Sequence, residues 1–161
     1  CSPARASILT GQIPSQHGVL DFLRAGNSTK LPDDGKTIEY LAGRTAYTEI
    51  LADGGYECGL SGKWHIGDSA TPQCGFSFWE VHATGAGNYY SAPMFRDDDL
   101  YTAEGYVTDV ITDNALGYLE SQRASETPFS LNVHYSGVVV RPYVFRDNRA
   151  SRWTGRGQGN I

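Results

Sequence analysis

Between Val107 and Tyr135 the chain spells a helix, a break and a strand, and that order restricts it to folds in which helices cover a sheet. Val107, Val110, Ile111, Ala115, Tyr118 and Leu119 recur at helical spacing, which predicts a helix over Val107–Gln122. Thr127-Pro128 breaks it. Phe129 to Tyr135 then alternates as a strand with two different faces does. The same order stands earlier in the chain. Ile38, Leu41, Ala42, Ile50 and Leu51 fit one helical face over Ile38–Ala52, with Asp34 or Thr37 as the cap. Gly54-Gly55 stops that helix, and Tyr56–Leu60 reads as a short strand running into the polar loop Ser61–Gly67. α/β sheets build their sites in such loops, at the carboxyl ends of strands.

A further helix opens the chain. Pro3 suits a first turn, Arg5, Ala6, Ile8 and Leu9 are compatible with helix, and Gly11 can end it. Gln12 to Leu31, punctuated by Pro14, Gly18, Gly26 and Asn27, reads as a loop-rich connection closed by a turn at Leu31–Gly35. Asp68 to Tyr106 reads as a long irregular region. Its aromatic residues (Phe76, Phe78, Trp79, Tyr89, Tyr90, Phe95, Tyr101) favour packing and substrate contact over disorder. Asp97-Asp98-Asp99 is expected to be a solvated turn rather than a paired-carboxylate metal site, because charge runs are mostly exposed. From Arg141 both periodicities stop while Arg141, Arg146, Arg149, Arg152 and Arg156 crowd together, so a mobile or poorly packed tail is expected there.

The length of 161 residues suffices for one domain with its own core. A net charge of −5 argues against a nucleic-acid partner, which calls for a basic surface. No apolar run is long enough to cross a bilayer, and no charged-then-apolar leader precedes Cys1, so a soluble segment, processed or part of a longer chain, is expected. Cys1, Cys58 and Cys74 form neither a disulfide framework nor a zinc cluster; Cys58 and Cys74 can pair or remain buried thiols.

The chemistry gathers at the beginning. Cys1 stands just ahead of a helix N-terminus, whose free N–H groups and dipole favour an anion. Arg5, about one turn on, adds a fixed positive charge able to grip an oxyanion. A nucleophile, an anion site and a guanidinium so close together suggest reaction at a tetrahedral oxyanion ester.

Cys1-Ser2-Pro3-Ala4-Arg5, followed by Thr10-Gly11, resembles the first signature of the type I sulfatases. Gly59-Leu60-Ser61-Gly62-Lys63-Trp64-His65-Ile66-Gly67 resembles their second. The resemblance implies a fold class of α/β type: an alkaline-phosphatase-like mixed sheet flanked by helices, here incomplete. It implies hydrolysis of a sulfated small molecule or sulfated glycan. Cys1 would be converted after translation, by a formylglycine-generating enzyme, into formylglycine. The hydrated aldehyde offers one hydroxyl to attack sulfur and another whose collapse expels sulfate, avoiding a sulfated enzyme that water would have to open. The same residue would be an oxygen ligand to a divalent cation, usually Ca²⁺, which suits hard oxygen donors. Arg5 would stabilise it, Lys63 would clamp the sulfate, and His65 would bond the hydrate and assist its collapse. Export or a lysosomal location is common in the family.

Other candidates weigh less. Trp64 is expected to pack, His17 to be structural, His82 to lie at the surface with substrate contact as the lesser reading, and His134 to be a satisfied sheet histidine. Val139 stands where the family's loop carries a sulfate-contacting histidine. The family's remaining metal ligands fall outside the chain, so residues 1–136 are expected to be part of a catalytic domain, 137–161 an atypical tail, and the isolated piece inactive. A sheet lacking its first strand would also leave an edge unpaired. Two competitors remain: a phosphonate or phosphate monoester hydrolase with the same cysteine signature, and an N-terminal-nucleophile amidohydrolase using Cys1 and its own amine.

Overall fold

The structure, a computed structural model, describes residues 1–26, 36–85 and 87–136. The turn expected at Leu31–Gly35, Asp34 as a cap, Val139 and the arginine-rich tail lie outside the described residues. The chain order is α1 (Ser2–Thr10), α2 (Pro14–His17), α3 (Tyr47–Asp53), β1 (Glu57–Gly62), β2 (Phe78–His82), β3 (Tyr90–Arg96), β4 (Asp99–Tyr106), α4 (Val107–Gln122) and β5 (Phe129–His134). The strands form a five-stranded sheet in the order β4-β3-β2-β1-β5. β1 is parallel to both β2 and β5, whereas β3 and β4 add an antiparallel hairpin.

Each face of the sheet has its own core. Leu60, Trp79, Val81 and Phe95 pack with Ala6 and Leu9 of α1 and with Trp64 and Phe76. Ala92, Met94 and Ala103 pack against Val107 and Ile111 of α4. Trp64, 1% exposed, meets Trp79 at 5.2 Å and Phe76 at 6.2 Å between ring centroids, so it packs as expected. α4 spans the predicted residues, with Val107, Ile111, Ala115 and Tyr118 as its buried stripe; Leu119 faces outward. Glu80, buried under α4, is held by Arg96, by Tyr101 at 2.9 Å and by Asn114 at 3.3 Å, which lets a carboxylate sit inside the sheet.

Four expectations change. The helix predicted over Ile38–Ala52 is confined to Tyr47–Asp53, because Glu39 bridges to Gly67 and the residues up to Arg44 form turns. Thr37 is not the cap of this helix, whose N-cap is Ala46; the Ala46 N–H, ahead of α3, donates to Glu49 Oε2 at 2.7 Å. The region Asp68–Tyr106, read as irregular, holds β2, β3 and β4, and Asp97 lies in the solvated turn between β3 and β4. The alternation in β5 does not separate a buried from an exposed face, since Ser130 to His134 are all half-buried. Both its faces are covered: Tyr47 donates to Asn132 Oδ1 at 2.8 Å, and Val133 packs into the α4 core. Cys58 and Cys74 are both free. Among the described residues no helix is long and apolar enough to cross a membrane, and no strand pairs with the outer edge of β5.

Candidate active site

The four residues singled out in the sequence come together at the carboxyl ends of the parallel strands. Cys1 is the N-cap of α1, Pro3 lies in the first turn, and the Arg5 N–H closes the first helical bond onto the Cys1 carbonyl at 3.1 Å. Gly11 ends the helix at φ 66. Lys63 follows β1 directly, and its N–H donates to the His134 carbonyl at 2.8 Å, extending the β1–β5 pairing. That approach requires Gly62: its φ is 112, and a Cβ there would lie 2.1 Å from the His134 oxygen. β1 thus runs through Ser61 and Gly62, beyond the predicted end at Leu60.

The Lys63 Nζ donates to the Cys1 sulfur at 3.4 Å, and His65 Nδ1 lies 3.1 Å from the same sulfur, although these residues stand 62 and 64 positions away. His65 Nε2 donates to the Leu23 carbonyl at 3.0 Å, which fixes the tautomer. Nδ1 therefore carries the lone pair, and it is this atom that faces Cys1. Burial first, and then the Lys63 charge, hold the His65 pKa down at about 4, so the ring is a neutral proton acceptor at neutral pH. The backbone reaches this arrangement through φ 62, a left-handed conformation that side chains rarely adopt and that clusters at functional sites. Phe22 packs edge-on to the ring at 4.6 Å, and Gly85 lies so close that a Cβ would meet His65 Cδ2 at 2.3 Å.

Arg5 acts as a brace. Its Nη1 donates to the Lys63 carbonyl at 2.7 Å and reaches His134 Nδ1 at 2.8 Å. A guanidinium only donates, so His134 Nδ1 is an acceptor here, although it also lies 3.1 Å from the Lys63 oxygen. Burial and the Arg5 charge lower the His134 pKa to about 4, in keeping with a neutral ring. The sheet histidine of the sequence reading is therefore satisfied by Arg5, a partner 129 residues away. Burial lowers the Arg5 pKa to about 10; burial and then Arg5 lower that of Lys63. His17 is structural: its Nδ1 accepts from the Val19 N–H at 3.1 Å, leaving Nε2 to donate to Ser7 Oγ at 3.0 Å. His82 departs from its expected surface position and is 1% exposed.

Chemically, an ammonium, a guanidinium and a helix N-terminus around Cys1 fit an anion. They do not fit a divalent cation on their own. Among the described residues no three of His, Cys, Asp or Glu come together to hold a metal.

A mixed sheet flanked by helices, with Cys1 at a helix N-terminus facing Lys63 and His65, is the alkaline-phosphatase-like fold of its structural neighbours. The chain belongs to the sulfatase family, whose model matches residues 1–150. It is 31% identical over 134 residues to the N-acetylglucosamine-6-O-sulfatase of Bacteroides thetaiotaomicron, covering 82% of this chain and 21% of the relative. It is 26% identical to the N-acetylgalactosamine-6-sulfatase of Canis lupus familiaris, covering 92% of this chain and 33% of that enzyme. Among solved structures, one determined in complex with its substrate D-glucosamine-2-N,6-O-disulfate superposes with a TM-score of 0.67 at 28% identity. That match covers 86% of this chain and 25% of the other. The chain thus spans between a fifth and a third of the length of these relatives. The family uses Ca²⁺ and formylglycine.

Proposed function

We propose that the complete protein carrying this chain hydrolyses sulfate esters, with Cys1 converted to formylglycine. The observation that carries the reading is the convergence of Lys63 Nζ and His65 Nδ1 on one atom of Cys1. The sulfur occupies the position that the hydrate's oxygens take after conversion. The converted residue supplies one hydroxyl to receive the sulfuryl group and a second through which sulfate is released. The chain's own residues supply the rest. Lys63, largely withdrawn from water, is a cation next to the reacting atom and balances the charge that builds on the ester oxygens. Neutral His65 takes a proton at Nδ1 while Nε2 stays anchored on Leu23, so its ring need not turn during the reaction. Arg5 stabilises Cys1 from within its own helix and holds the Lys63 backbone against β5.

A divalent cation, Ca²⁺ by family resemblance, would take Cys1 as one ligand and its carboxylates from outside the described residues. The substrate class is a sulfated glycan, by similarity to relatives that act on N-acetylhexosamine 6-sulfates, and a formylglycine-generating enzyme is the maturation partner. Sulfate is favoured over phosphonate or phosphate because the related enzymes are sulfatases. An N-terminal-nucleophile mechanism leaves Lys63 and Arg5 without a task. Mass spectrometry of the Cys1 peptide, from the complete protein made in its own host, tests the proposal. A thiol-to-aldehyde mass change is expected; an unmodified thiol in active enzyme overturns it.

A further inference from the structure

His82 is the last residue of β2, and β2 runs parallel to β1 with Val81 opposite Gly62. His82 therefore stands level with Lys63, at the same carboxyl edge of the sheet. Its neighbour on the other side is Met94 of β3, an apolar side chain that offers imidazole no strong partner. The loop after β2 passes both site histidines: Gly85 lies against His65, and a Cβ on Gly87 would stand 3.3 Å from His82 Nδ1. His82 is 1% exposed, and among the described residues neither of its ring nitrogens has a hydrogen-bond partner. Burying both nitrogens unpaired gives up their water and gains nothing in return. An apolar residue would fill the same position without that loss, as Met94 does beside it. Burial, and then the charge of Lys63, keep the ring neutral with a pKa of about 4, so Lys63 acts on His82 electrostatically. A neutral imidazole presents one N–H donor and one lone-pair acceptor.

We propose that His82 is a substrate-binding residue that donates to an oxygen of the sulfate held by Lys63 and accepts from a neighbouring hydroxyl of the same substrate. The inference rests on the sulfate-ester reading of the site and narrows it to hydroxyl-bearing esters, such as a sulfated sugar. An aryl sulfate can take only the first of the two bonds.

The test uses the complete protein and four forms: wild type, His82→Leu, His82→Met and His82→Gln. KM is measured for a sulfated N-acetylhexosamine and for an aryl sulfate, and inorganic sulfate affinity is followed by its thermal stabilisation of the protein. His82→Leu should raise Tm, because two unpaired polar atoms leave the interior, while weakening inorganic sulfate about tenfold. Its KM should rise by about tenfold for the aryl sulfate and by more for the sulfated sugar. His82→Gln, which keeps a donor and an acceptor, should recover most of both losses, and His82→Met, apolar like Leu, serves as the readout if His82→Leu does not fold. KM and sulfate affinity unchanged in an apolar variant, or a loss in His82→Gln as large as in an apolar variant, overturn the inference and leave His82 a buried core residue. An equal loss on both substrates overturns its hydroxyl contact. A wild-type protein that turns over neither sulfate ester fails the parent reading instead, and that result is seen before any variant is made.

Discussion

At His65, three restraints act on one ring: a left-handed backbone at φ 62, a hydrogen bond from Nε2 to the Leu23 carbonyl, and a glycine where any side chain would collide. Each removes a way for the ring to turn, so the lone pair on Nδ1 is held toward Cys1 before substrate arrives. Gly85 is the restraint easiest to remove cleanly. A Cβ there would stand 2.3 Å from His65 Cδ2 and 2.5 Å from Nε2, and a packed ring has no flexible end with which to yield. Gly85→Ala should therefore lower kcat by about a hundredfold through misplacement of the acceptor. KM should change little, since Lys63 is not displaced. Steady-state kinetics of the complete protein separate the two parameters; an unchanged kcat would mean that His65 does not act from this position.

At the level of elements, the site depends on how β1 ends. Gly62 sits at φ 112 with the His134 oxygen where its Cβ would be, and the Lys63 N–H is bonded to that same oxygen. Gly62→Ala should push the ends of β1 and β5 apart. Its cost is estimated at about 1–3 kcal/mol from overpacking and strained backbone, measurable as a lower urea midpoint, with Lys63 and His134 both moved from Arg5. A midpoint equal to wild type would show that the strand ends can part freely. The sequence carries no trace of this contact, because it joins residues that only the parallel pairing of β1 and β5 brings level. Local signals, by contrast, were legible. Pro3 and Gly11 bound α1, the Val107–Tyr118 stripe bounds α4, and the likeness of Gly59–Gly67 to a sulfatase signature points to Lys63 and His65. What escaped was set by tertiary context. Ile38 and Leu41 kept a helical spacing, yet Glu39 is bridged to Gly67 and the Ile38 N–H donates to Asp68, so those residues serve the site loop instead of a helix. The β3–β4 hairpin was hidden because its aromatic residues line one face or the other without regular alternation. His82 looked like a surface residue for the same reason: nothing local reveals that β2 is an inner strand.

Across the whole molecule, the site's histidines make folding sensitive to acid. His65, His82 and His134 all have pKa values lowered to about 4, in each case chiefly by burial, and then by Lys63 or Arg5. In the unfolded chain a histidine titrates near its ordinary value of about 6.5. Between those two values the unfolded state binds protons that the folded state refuses. Stability is therefore fully present above about pH 6.5 and is lost progressively as the pH falls toward about 4. The carboxylates of the fold titrate at the lower end of this range, so the histidines act alone only in its upper half. Urea midpoints of the complete protein at pH 7, 6 and 5 should fall in sequence, and the fall in stability between pH 6 and 5 should correspond to as many as three protons. His82→Leu removes one of the three groups, so its midpoint should fall less steeply, whatever its effect on substrate binding. A midpoint that stays level from pH 7 to pH 5 would mean that these rings remain hydrated in solution. Neutral His65 would then lose its physical basis, and with it the proton acceptor beside Cys1.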